Sequence, residues 1–210
     1  MARQGLIFIV SAPSGAGKTS LVKALLTEMG NISVAVSHTT RPMRPGEVDG
    51  VHYHFVSHDE FTRLQGDGGF VESAEVFQNW YATSKAAILG CIQRGEDVIL
   101  EIDWQGAQQV RSLFPDNSVS VFIVPPSQRA LQTRLEQRAQ DKPEVIAKRL
   151  AAAQSEISHY VEYQYLVVND CFDTALADLT AIIRAARLNI VMQVESNRQL
   201  LQDLLMKNQG

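Results

Sequence analysis

The strongest chemical signal in the chain is the run Ala12-Pro13-Ser14-Gly15-Ala16-Gly17-Lys18-Thr19. Glycines at 15 and 17 let successive backbone N–H groups turn inward toward one point, which makes a concave site for an anion. A lysine directly after the second glycine can reach the outer phosphates of a nucleoside triphosphate, and the Thr19 hydroxyl that follows suits Mg²⁺. This is P-loop spacing, with Ala12 standing where the general motif has its first glycine. That position shapes the turn, whereas Gly15-x-Gly17-Lys18-Thr19 keeps the groups that touch phosphate. The loop alone leaves GTPases, ATPases and small-molecule kinases open.

A second signal lies in Ser37-His38-Thr39-Thr40-Arg41-Pro42-Met43-Arg44-Pro45-Gly46-Glu47. Arg41 and Arg44, three apart in a proline-bounded turn, can fork onto one phosphate from two directions. The hydroxyls before them and Tyr53 after them favour that reading over a pair of solvated surface charges. Further on, Arg134 and Arg138 stand one helical turn apart and face the same way.

The elements that must position these groups follow from periodicity. Leu6 to Val10 is a continuous apolar run, as expected of a parallel strand covered on both faces. Leu21, Val22, Leu25, Leu26 and Met29 then recur at helical spacing, and Gly30-Asn31 suits the stop because both tolerate left-handed geometry. Val34 to Val36 reads as a second strand. From Ser37 to about Ala82 no long helical period is visible, and the stretch reads as an inserted β-rich lobe. A helix over Ala86–Ile92 and strands over Val98–Ile102, Val119–Val124 and Tyr165–Val168 follow. Leu131 and Leu135 sit on a helix running into a polar connector, and Pro143 suits the first turn of a helix reaching about Tyr160. Thr174 to Leu205 is mostly helical. Strands alternating with helices predict an α/β fold with a parallel sheet. The expected division is a P-loop core (1–36, 86–125 and 161–190), a lobe (37–85), a small helical lid with flanking helices (126–160) and a helical tail (191–210).

Taken in order, these segments resemble the guanylate kinase family, in its bacterial form, from about residue 5 to 190. The resemblance rests on Ser37 to Glu47, on Gly50-x-x-Tyr53-x-Phe55, on Phe70-Val71-Glu72 and on Glu101-Ile102-Asp103-Trp104-Gln105-Gly106. It implies an ATP:GMP phosphotransferase that uses Mg²⁺ and also acts on dGMP. By the same resemblance Ser37, Glu72 and Thr83 recognise guanine, and Arg41, Arg44, Tyr53 and Tyr81 hold the acceptor's phosphate. Asp103 lies near the acceptor and the metal's waters. Arg134, Arg138 and Arg149 close over the phosphates, and Asn169 lies near the donor's adenine. Chemistry agrees for Glu72, since a carboxylate can accept both N1–H and N2–H of guanine, whereas adenine has no N1–H; spacing alone leaves it open as a surface acid. The chain departs from the family at Gln78, Ala82 and Ala139, where glycine is usual. A side chain there is costly if the backbone needs positive φ.

Bulk properties set the outer limits. With 210 residues and 45% hydrophobic content the chain can build a core, and a formal net charge of −4 argues against a general nucleic-acid binder. Cys91 and Cys171 lack metal-ligand spacing, and the N-terminus has neither a membrane span nor a signal-peptide pattern, so a cytoplasmic setting is expected. Strand alternation accounts for His52 and His54 without a metal. Retained Lys18, Thr19, Arg44 and lid arginines disfavour a non-catalytic interaction module, and the Asn-Lys-x-Asp signature of GTPases is missing. Ile190, Val194, Leu201 and Leu205 form an apolar stripe that suits either self-association, giving a homo-oligomer, or packing back on the same chain.

Overall fold

The structure is a computed structural model that describes residues 4–76, 78–138 and 143–206, without the side chains of residues 138 and 143–146. Its centre is a five-stranded parallel sheet built from β1 (Ile7–Ser11), β2 (Ile32–Val34), β7 (Asp97–Glu101), β8 (Ser118–Val124) and β9 (Tyr165–Val168), in the order β2-β7-β1-β8-β9. Strand residues alternate between two cores. Phe8, Val10, Ile99, Val121 and Ile123 pack on the face covered by α1 (Lys18–Glu28) and α7 (Phe172–Arg187). Ile7, Ile9, Val98 and Leu100 pack on the opposite face, beneath α3 (Lys85–Gln93) and α4 (Trp104–Leu113). Double-sided burial is why β1 and β7 are apolar at consecutive positions rather than alternating.

A second sheet, in the order β4-β3-β6-β5, is formed by β3 (His38–Thr39), β4 (His54–Phe55), β5 (Phe70–Val76) and β6 (Asn79–Ser84). The expected β-rich lobe also contains a helix that periodicity does not reveal, α2 (His58–Gly66). It has nine residues and one buried apolar side chain, Phe61, too little to build a repeating stripe. Its start is nevertheless written locally: Ser57 Oγ accepts the Glu60 N–H at 3.2 Å, in the Ser-x-x-Glu spacing of a capping box. Two other expectations shift. The second strand lies two residues earlier than Val34–Val36, at Ile32–Val34, although Ala35 N–H still bonds to Ile99 O. At the end of α1 only Asn31 takes the left-handed conformation, with φ 61°.

Beyond β8 come α5 (Gln128–Arg138) and α6 (Pro143–Ile157), which meet through Leu131, Leu135, Leu150 and Ala153, then a 3₁₀ turn at Ser158–Glu162. The tail is helical as expected but interrupted: α8 (Ile190–Ser196) starts at an Asn189 cap, and α9 (Arg198–Leu205) starts after Asn197. Ile190, Val194, Leu201 and Leu205 are all exposed, so this stripe is not folded back on the described residues.

At the edge of the sheet opposite the loop that follows β1, Asp97 is fully buried. It accepts the Leu6 N–H at 2.8 Å and the Arg187 Nε–H at 2.7 Å, while Arg187 Nη2 reaches the Gly30 and Asn31 carbonyls. Removing the guanidinium takes the countercharge away from a buried carboxylate. Arg187→Ala is expected to destabilise the protein by about 3 kcal/mol, read from the urea unfolding midpoint; a change below about 1 kcal/mol would show the pair to be dispensable.

Candidate functional site

Parallel strands deliver their carboxyl ends to one edge of the sheet, and the chemically loaded residues collect there. From β1 the chain enters the glycine loop, where Gly15 has φ 92° and Gly17 φ 95°, values that side-chain-bearing residues rarely adopt. Space imposes glycine a second time. A Cβ on Gly17 would stand 2.4 Å from Asn169 Nδ2, and one on Gly15 would stand 3.0 Å from the Leu131 side chain. The P-loop is thus clamped between the end of β9 and helix α5. Asn169, buried just after β9, donates from its carboxamide to the Ala16 carbonyl at 2.7 Å. Arg134 donates to the Asn169 carbonyl at 2.9 Å, and its buried Nη1 has no partner among the described residues.

Lys18 opens α1. Burial lowers its pKa, and the carboxylates of Glu101, Glu156 and Asp103 oppose that shift, so the ammonium sits among three acids. Thr19 Oγ1 donates to Glu101 Oε2 at 3.0 Å. Asp103 caps α4, its Oδ1 accepting the Gly106 N–H at 2.9 Å and its Oδ2 the Gln105 amide at 3.1 Å. Hydroxyl and carboxylate oxygens gathered beside a phosphate loop are the donor set that a hard divalent cation takes, so these residues fit a divalent metal.

Across an open cleft of about 300 Å³ lies the second sheet, presenting Glu72, Tyr81 and Ser37 toward the loop. Glu72 is 4% exposed. Thr83 Oγ1 donates to Glu72 Oε1 at 2.6 Å, and the Ser37 hydroxyl lies 3.4 Å from Thr83 Oγ1. Burial pushes the Glu72 pKa up to about 7, helped by the charge of Asp103 and opposed by the bond from Thr83. A buried acid held by the hydroxyl and backbone N–H of Thr83, with acceptor capacity left, is prepared for a ligand that brings N–H groups.

The arginine pair divides its labour in a way that spacing does not disclose. Arg41 forks onto Glu47, with Nη1 at 3.0 Å and Nη2 at 2.7 Å from its two oxygens, also donates to the Pro42 carbonyl, and stacks 5.4 Å from the Tyr53 ring centre. The Arg41 bond holds the Glu47 carboxyl down at about 2. Glu47 also receives the Arg44 N–H at 2.7 Å, so it organises the whole turn. Arg44 itself is exposed and, with Tyr53 and Arg149 of α6, lines the wider part of the cleft. Tyr53 and Tyr81 meet edge to face at 5.8 Å. The side chain of Arg138, and Ala139 beside it, lie outside the described residues.

Of the family departures, Gln78 does take a positive φ of 65°, as glycine would. Ala82 does not: it is a fully buried residue of β6 paired with His38 and Ser73, where a methyl group fits. His52 Nδ1 accepts the Val48 N–H, and the His54 ring packs against His38 with centroids 4.6 Å apart and planes tilted by 33°. Two acids that sequence reasoning left without a role belong to the cluster. Glu101 was within reach, since an acid at a strand's carboxyl end beside a P-loop is a recognisable signal. Glu156 of α6 was not, because only the fold brings it to Lys18 and to the Ser14 N–H.

Comparison with known proteins agrees with this arrangement. The guanylate kinase family pattern matches residues 4–186. Guanylate kinase of Alkalilimnicola ehrlichii is 57% identical over 201 residues, covering 96% of this chain and 98% of that one. Guanylate kinase of Saccharophagus degradans is 55% identical, covering 98% of this chain and all of its own length. The crystal structure of guanylate kinase from Anaplasma phagocytophilum superimposes with a TM-score of 0.81 at 32% identity, covering 99% of both chains. A match of this extent, on a chain that retains the loop, the buried acid and the arginine turn, shows that the protein belongs to the guanylate kinase family.

Proposed function

We propose that the protein transfers the γ-phosphoryl group of ATP to GMP, giving ADP and GDP, with Mg²⁺ as the metal, and that it accepts dGMP as well. The observation that carries this reading is the buried Glu72 carboxylate, backed by Thr83 and Ser37, facing the P-loop across one cleft. Guanine can offer two N–H donors to that carboxylate, whereas adenine would leave it poorly paired.

The family resemblance suggests the remaining roles, and charge and position support them for the described side chains. Backbone N–H groups of residues 12–19 and the Lys18 ammonium hold the outer phosphates of ATP. Tyr53, Tyr81, Arg44 and the N–H groups of Arg41 not taken by Glu47 hold the phosphate of GMP. Asp103 stands beside the acceptor, and Arg134, Arg138 and Arg149 meet the charge that spreads over the transferred group. Asn169 lies on the donor side near the adenine, and its bond to the Ala16 carbonyl also braces the loop that holds the phosphates. Thr19, with Glu101 close by, would hold Mg²⁺, which would supply positive charge to offset that of the phosphates. Residues 37–85 act as the acceptor lobe and 126–160 as the lid on a P-loop core, and closure of that lid keeps water from competing with GMP. We place the enzyme in the cytoplasm, with no nucleic-acid or membrane partner. The exposed stripe of α8 and α9 favours homo-oligomer formation through the tail.

Steady-state ADP release with ATP and each nucleoside monophosphate tests the assignment. Glu72→Gln is expected to lower kcat/KM for GMP by about 10²-fold or more while ATP affinity stays nearly constant; an unchanged preference for GMP would remove Glu72 from its role. Lys18→Ala should lower kcat by about 10³-fold with the thermal unfolding midpoint preserved, and near-normal turnover would contradict the mechanism. The pH dependence has a defined sign. Guanine binds the ionised carboxylate, and the folded-state pKa of Glu72 is raised to about 7, so kcat/KM for GMP should climb as pH rises toward 7 and level off above it. A profile flat from pH 6 to 8 would exclude titration of Glu72 from acceptor binding.

A further inference from the structure

Strand β5, which carries Glu72, is an edge strand, and its pairing with β6 slips between Phe70 and Glu72. The ladder is therefore irregular just where the base-facing carboxylate is attached, and backbone pairing alone fixes its position weakly. The support comes from the other side. Gln109, on α4, accepts the Ser73 N–H at 3.1 Å with Oε1 and donates to the Ser73 carbonyl at 2.9 Å with Nε2. A primary amide used this way imitates one residue of a neighbouring strand, and it closes the open edge of β5 immediately after Glu72.

One turn earlier on the same face of α4 stands Gly106. A Cβ there would lie 2.5 Å from Glu72 Oε2 and 3.1 Å from its carboxyl carbon. Gly106 is not among the positive-φ glycines, so clearance rather than backbone freedom is what its missing side chain provides. The carboxylate thus rests on the bare first turn of α4, whose N–H at Gly106 is already engaged by Asp103. Since α4 follows directly from β7 and its acids, the core dictates how far the lobe's carboxylate projects.

We propose that Gln109 and Gly106 are positioning residues that set Glu72 against the acceptor's base, so that selectivity for guanine is controlled from α4. The proposal rests on the reading of Glu72 as the guanine acceptor. Neither residue touches substrate. Gln109 holds the strand, and Gly106 leaves the space. Displacing the carboxylate weakens the contact to the 2-amino group of guanine, which hypoxanthine lacks, so GMP suffers more than IMP.

The test compares Gln109→Ala, Gly106→Ala and Glu72→Gln in the full chain, measuring kcat and KM for GMP, IMP and ATP. Because Gln109 is exposed, its truncation should leave the fold in place, and its result is decisive. For Gln109→Ala the KM for GMP is expected to rise about tenfold, more than kcat falls, with the KM for ATP changed less than about twofold and the GMP-to-IMP preference reduced about fivefold. Gly106→Ala should show the same signature more strongly, with binding of ATP preserved. An unaltered GMP KM and GMP-to-IMP ratio in Gln109→Ala would overturn the proposal, as would equal losses for GMP and ATP, which mark a purely structural role. Should Glu72→Gln itself leave the GMP-to-IMP ratio intact, the reading of Glu72 fails; should it collapse the ratio while Gln109→Ala does not, only the positioning proposal fails.

Discussion

A carboxylate withheld from water is the constraint around which this molecule is organised. Glu72 is almost fully buried, with the Thr83 hydroxyl as its short hydrogen bond and Asp103 contributing like charge. Desolvating an acid in this way is unfavourable in the absence of ligand, and it becomes an advantage when a base arrives with two N–H groups aimed at the same oxygens. On the proposed reading, selectivity comes from what an incorrect base leaves unpaired rather than from extra contacts to the correct one. Ser37 lies behind Thr83, and where β5 slips the carboxylate is bordered by the bare turn of α4 and by the Gln109 bridge to Ser73.

Opposite it, the P-loop solves the complementary problem with main-chain atoms. Two glycines with positive φ aim N–H groups at an anion, and the clamp of Asn169 and α5 prevents the loop from relaxing into other shapes. Preorganised donors of this kind need no rearrangement when charge develops. Because Leu131 and Leu135 press on Gly15 while Arg134 bonds to Asn169, the arginine-bearing helix is attached to the loop whose phosphates it is proposed to cover. On the proposed reading, those contacts would tie donor binding to the position of the lid.

Much of this was legible in the chain because it is local. The P-loop declares itself within eight consecutive residues, and the sheet declares itself in apolar runs whose both faces are covered. Gln78 also behaved as its position implied, with positive φ. What escaped reading depends on contacts between distant segments or on elements too short to repeat. Helix α2 buries only Phe61, so its cap, not its period, was the available signal. Glu156 reaches Lys18 only because α6 folds over the loop, and Gln109 reaches Ser73 only because α4 packs along β5. Arg41 and Arg44 look equivalent in sequence, and the fork to Glu47 that separates them needs the turn to be folded.

The account stands on Glu72 giving up its proton to receive guanine, and calorimetry measures that directly. GMP binding at pH 7, titrated in buffers of different ionisation enthalpy, should release roughly half a proton per site, since a group with a pKa of about 7 is half protonated before binding. In the Glu72→Gln protein this release should largely vanish. Binding that releases no protons in the unsubstituted enzyme, or the same number in both proteins, would contradict the claim.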